Sequence, residues 1–166
     1  KRVHPIMNSD YIIRMIEQFI QAIVAIVKAR KAGNYEEAFH QIQNASQRYL
    51  QADIITLLNK TPEQLLEYFK SGTKYFDAEQ CVVCADLLYE TALICESKQC
   101  EDLSLHAKIL CLHLYLNAIP KEKQFQTQAY MEKVSDLIKD LEGKTIPETV
   151  REGIHVYRKA LNQEIP

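Results

Sequence analysis

Only four glycines and five prolines punctuate the 166 residues of this chain, and that scarcity constrains its fold more than any other feature. Sandwiches, barrels and propellers need a turn signal about every 8–12 residues, so the scarcity counts against them. Collagen-like and linker-like chains are rich in these two residues and are excluded. Ala, Leu, Glu, Lys, Gln, Arg and Met make up about half of the chain, and all are strong helix formers. The expectation is one all-α domain, large enough to bury about two thirds of its unfolded surface without help from a disulfide or metal.

The few breakers stand where helices should begin and end. A helix over 11–31 stops near Gly33, and Asn34, a natural N-cap, opens a second helix to Gln51. Asp53 can cap a short helix through Leu58. Thr61-Pro62-Glu63-Gln64 reads as a capping box with proline at the first helical position, and that helix ends at Ser71-Gly72. Further helices are expected over 75–97, over 101–118 with Pro120 as the stop, and over 124–142 with Gly143 beyond its end. A second capping box, Thr145-Ile146-Pro147-Glu148, opens the last helix, to Asn162. Short connections make about seven or eight helices antiparallel neighbours in a single domain over 7–166. Residues 1–6 lack the apolar core of a secretory signal and read as an extension upstream of a start at Met7. No apolar run is long enough to span a membrane. A cytoplasmic setting is therefore expected, with the five cysteines as thiols.

Small and large residues alternate by the turn in three of these helices: Ala38, Ile42 and Ala45; Ala107, Cys111 and Leu114; Gly153, Tyr157 and Ala160. A small side chain one turn before a large one lets a neighbouring helix approach while the large one plugs the gap, which is how stacked helical hairpins pack. Gly33-Asn34-Tyr35-Glu36-Glu37-Ala38 resembles the turn and second-helix start of a tetratricopeptide repeat. Ala38 and Ala107 lie 69 residues apart, about two 34-residue periods. Around Gly72 and Phe76 the pattern lapses, so the array is irregular. The opening from Asn8 to Phe19, together with Asp86 to Glu90, is similar to a family of small bacterial proteins of unknown function with tetratricopeptide-like helices. That resemblance implies an irregular array of antiparallel hairpins and a peptide- or protein-binding role, and it brings no catalytic chemistry. The ordered Lys and Asn set that clamps a peptide carboxylate is not found on successive first helices.

The first helix carries more apolar surface than one hairpin can use. Arg14, Glu17, Gln18, Gln21, Ala25 and Lys28 fill an arc of about 100°, and nearly everything else on the helix is apolar. An amphipathic helix packed on one neighbour needs a stripe of only about 100°. Either other helices of the chain fold over the excess, or a second copy does, or a partner helix does. Ile12, Ile16, Phe19, Ile20, Ile23 and Val27 are the candidate interaction surface, with a homodimer as one outcome.

Cys81-Val82-Val83-Cys84 has the spacing of a metal or redox half-site, yet no second pair follows at matched spacing. On a helix these thiols share a face with Ala85, Leu88, Ala92 and Cys95, and a small-residue packing face is expected there, set against Ala107 and Cys111. Asp102, His106, His113 and Asn117 form a polar strip on the following helix. Its two readings are a solvated edge and the lining of a concave groove. His106 and His113 stand about 10.5 Å apart along the axis, too far to ligate one metal.

No zinc-protease motif, phosphate loop, dinucleotide fingerprint or nucleophile elbow is present. A net charge of −2 gives no whole-molecule attraction to nucleic acid. Lys28, Arg30 and Lys31 are too few and too local to form a nucleic-acid footprint; at a helix C-terminus they complement the dipole. The function expected is a non-enzymatic interaction or scaffold module, without metal, cofactor or catalytic residues, that self-associates or docks a protein or peptide through its first helix. The alternative is an enzyme or metal or redox sensor built on Cys81, Cys84 and His106.

Overall fold

The structure, a computed structural model, describes residues 9–70 and 76–164. Among the described residues there are eight α-helices and no strand: α1 (Ser9–Lys31), α2 (Tyr35–Leu50), α3 (Ile54–Leu58), α4 (Pro62–Tyr68), α5 (Ala78–Ser97), α6 (Glu101–Ala118), α7 (Gln128–Asp140) and α8 (Glu148–Glu164). The chain is all-α, as its composition requires.

Helix boundaries follow local capping chemistry. Gly33 ends the α1–α2 turn at φ 83°, a left-handed conformation in which a side chain would be strained. Asp53 accepts the N–H of Ile55 at 2.9 Å and starts α3. The Thr61 box is closed in both directions, with the Gln64 N–H donating to Thr61 Oγ1 at 3.1 Å and the Thr61 N–H donating to Gln64 Oε1 at 3.0 Å. Three starts differ from expectation. In α5 the N–H of Gln80 donates to Asp77 Oδ1, so the helix opens at Ala78, three residues later than the spacing suggested; Gly72 and Tyr75 lie outside the described residues. After α6 the chain makes two single 3-10 turns, Ile119–Lys121 and Lys123–Phe125, and only then does Thr127 accept the Tyr130 N–H and begin α7. Pro120 thus stops the α-helix as expected and diverts the next five residues as well. Before α8 the Pro147 carbonyl accepts the N–H of Arg151, which puts the proline ahead of the first helical residue.

The core is the antiparallel hairpin α5–α6. Cys111 Sγ donates to the Ala85 carbonyl at 3.2 Å, and Ser104 Oγ donates to that of Ala92 at 2.9 Å. Every residue from Ala107 to Tyr115 is buried, so α6 has no solvent face over its middle turns. A helix apolar all round is a helix covered all round. On one side α1 and α2 pack over α5: the Arg30 guanidinium reaches Glu90 at 2.7 Å, and Gln80 donates to the Tyr49 carbonyl. On the other side α4, α7 and α8 cover α6. Where α8 crosses α6, a Cβ on Gly153 would stand 3.3 Å from Leu116 Cδ1, the close approach expected of an intrahelical glycine. The small–large pattern is buried at Ala38, Ile42, Ala45, Ala107, Cys111 and Leu114, whereas Ala160 is exposed.

Candidate functional site

On α1 the two halves of the apolar arc have different fates. Phe19 is only 8% exposed and meets the Tyr49 ring edge-on, with centroids 5.3 Å apart; Ile26 is fully buried. This half faces α2 and α5. The other half stays open: Ile13 is 56% exposed, Ile16 42%, Ile20 56% and Val24 61%. Ile23 and Val27 lie half-buried between the two. Of the expected surface, Ile16 and Ile20 are on the open face and Phe19 is not; the Ile12 side chain lies outside the described residues. Ile13 and Val24 complete the stripe. A wheel shows how wide the apolar arc is, but the half that neighbours take is a matter of helix crossing, which no spacing on α1 encodes.

The polar strip on α6 is engaged largely within the chain. His106 Nε2 bonds the Leu58 carbonyl at 2.8 Å, tying α6 to α3. His113 is buried, and desolvation lowers its pKa below the usual imidazole value, with Lys70 adding to the effect and Glu63 opposing it. Its Nδ1 has no hydrogen-bond partner among the described atoms. The Asn117 amide donates to the His113 carbonyl at 2.8 Å, and Asp102 is exposed. His113 is thus the buried member of the strip, His106 and Asn117 are half-buried, and Asp102 is exposed.

Cys81, Cys84, Cys95 and Cys111 are buried thiols. Burial pushes all four pKa values up, against the thiolate that metal binding or disulfide exchange requires. Cys81 Sγ sits against the Leu114 carbonyl, eight residues beyond His106 on α6, about 12 Å along the axis. Among the described residues no group of three His, Cys, Asp or Glu side chains could hold a metal ion.

Two features were not foreseen from the residues. Asp86, buried in α5, accepts hydrogen bonds from the Tyr115 and Tyr130 hydroxyls, the latter at 2.9 Å, and lies 3.6 Å from Lys133 Nζ. Burial raises its pKa, against the pull of Lys133 and the two phenols. The Lys133 ammonium also stands 4.6 Å from the Tyr89 ring centroid and 5.6 Å from that of Tyr130. This cluster ties α5, α6 and α7 together and is filled by its own lysine. The second feature is a groove of about 810 Å³ between the start of α2, α3, the end of α5 and the start of α6. Phe39, Leu58, Ile94 and Leu103 give it an apolar floor, with Glu36, Glu37, His40 and Lys98 at the rim.

No described helix is long and apolar enough to cross a membrane. No family model, curated protein or solved structure matches the chain. The tetratricopeptide resemblance accordingly brings no assigned residues with it, and function rests on the geometry.

Proposed function

We propose that the chain is a non-enzymatic protein-interaction module, an irregular tetratricopeptide-like array whose first helix is the docking surface. The observation that carries this reading is the open stripe of Ile13, Ile16, Ile20 and Val24. Four β-branched side chains within three turns, each more than two fifths exposed, form a continuous patch, and contiguous apolar patches on soluble proteins mark interaction sites. Scattered apolar residues need no such explanation, and Val156 on α8 is one of them. The groove between α2, α3, α5 and α6 is the concave surface a helical array would offer a peptide, but its rim mixes both charge signs and selects no ligand.

The test uses the double variant Ile16→Glu/Ile20→Glu. Both side chains are exposed, so circular dichroism and the thermal midpoint should stay near wild type. In native extract the wild-type chain is expected to run in an assembly larger than its monomer, and the variant as a monomer. A wild-type monomer, or an assembly that the variant leaves intact, would overturn the reading.

A further inference from the structure

We infer that the occupant of the α1 stripe is α1 of a second copy, antiparallel and in one specific register; this rests on the reading above. Ile13, Ile16, Ile20, Ile23 and Val27 follow one another at intervals of three, four, three and four. That is the a/d spacing of a coiled-coil seam, here made entirely of β-branched residues. With Ile13 at a, the positions flanking the seam on its solvent side, all e, are Asp10, Glu17, Val24 and Lys31. The opposite flank is Phe19 and Ile26, already buried in the chain's own core. One flank is thus free to choose a partner.

Its charges choose an antiparallel copy. In an antiparallel pair a residues layer on d residues and e faces e. Setting Ile20 against Ile23 of the second copy, and Ile16 against Val27, brings Asp10 opposite Lys31 and Glu17 opposite Val24. Two-fold symmetry then makes the Asp10–Lys31 pair twice, once at each end. Shifting the register by one heptad in one direction layers Ile13 on Ile23 but sets Glu17 against Glu17, a like-charge contact; shifting it in the other keeps an attractive Glu17–Lys31 pair but layers Ile20 on Arg30 and leaves Ile16 with no partner on the helix. A parallel pair gathers Lys28 and Lys31 of both copies at one end and aligns the helix dipoles unfavourably. Lys31 is exposed, and Arg30 beside it is occupied by Glu90.

The area suits a pair of copies. The four exposed residues leave roughly 300–400 Å² of apolar surface per chain, and a standard interface buries about 800 Å² per partner, a little over half of it apolar. Ile23 and Val27 supply much of the remainder.

Light scattering of the purified chain over about 1–100 μM, with Asp10→Lys, Lys31→Glu and the double reversal, tests this. The wild type is expected to dimerise. Each single reversal turns two attractive contacts into repulsive ones and should weaken the dimer about tenfold, while the double reversal restores it. Each reversal also opposes the dipole at its own helix end, so recovery in the double variant cannot come from helix stability. A folded wild-type monomer at about 100 μM, single reversals without effect, or a double reversal weaker than either single would overturn the inference. If the purified chain is monomeric while its assembly in extract is lost in Ile16→Glu/Ile20→Glu, self-docking fails and the interaction reading stands.

Discussion

At the scale of residues, burial opposes the charged form of two groups, Asp86 and His113. Asp86 places a carboxyl group in the core, where two phenols donate to it and the Lys133 ammonium lies beside it. Removing one donor leaves a buried carboxylate short of a partner, so Tyr115→Phe should cost about 1–3 kcal/mol, read as a lower urea midpoint at unchanged slope. His113 is the other. Its folded pKa lies below the ordinary 6.5 because burial disfavours the imidazolium. Well above pH 6.5 the ring is neutral in both states and contributes no pH dependence. As the pH falls below 6.5 the unfolded ring takes a proton that the native ring refuses, so stability is lost until the native pKa is reached. Urea denaturation at pH 7.5 and 5.5 should show a larger drop for the wild type than for His113→Gln. Asp86, with its pKa raised, acts in the opposite direction, and comparing the two proteins cancels it. His113 stood out in sequence as part of the α6 polar strip, but its burial did not, and neither did that of Asp86. Burying an acid depends on what two other helices bring to it, and Tyr115, Tyr130 and Lys133 are distant in sequence.

At the scale of elements, what was legible was chemistry that acts over four residues. The Thr61–Gln64 box and the Asp53 cap follow from local donors and acceptors, the Gly33 turn from its left-handed backbone, and the end of α6 from Pro120. Thr61→Ala should remove the box and cost about 1 kcal/mol, measurable by thermal melting. The starts of α5 and α7 were not legible, because several residues ahead of each could serve as a cap and tertiary packing decides among them. Phe125, half-buried in the 3-10 turn before α7, meets the Tyr130 ring at 5.7 Å, a contact that holds the chain out of the helix. Gly153 tests packing between elements. A Cβ there already stands 3.3 Å from Leu116 Cδ1, so a branched side chain must displace α8 from α6. Gly153→Val is expected to destabilise by about 1–3 kcal/mol, and an unchanged melting midpoint would show that the helices do not meet there.

At the scale of the whole molecule, most of α5 and α6 is spent on the core, and among the described helices α1 carries the longest run of exposed apolar residues. The wide apolar arc of α1 was visible from spacing, and the surplus beyond one hairpin was visible with it. Phe19 went inward and Ile13 and Val24 stayed out because α2 and α5 approach from one side, a fact of three-dimensional crossing. The cysteine face of α5 was readable as packing, since small residues at helical spacing have that use whatever the fold. The polar strip of α6 was not, because a His that bonds a distant carbonyl looks, in sequence, like one that faces water.

Hydroxyl-radical footprinting of the concentrated, purified protein bears most directly on the α1 stripe, with Val156 as an internal standard of nearly equal exposure in the isolated chain, 62% against 61% for Val24. Covering of the stripe by a second copy should leave Val24 and Ile20 several-fold less oxidised than Val156. Equal oxidation of Val24 and Val156 in folded protein at about 100 μM would show that the stripe stands open to water and contradict its use as a self-docking face.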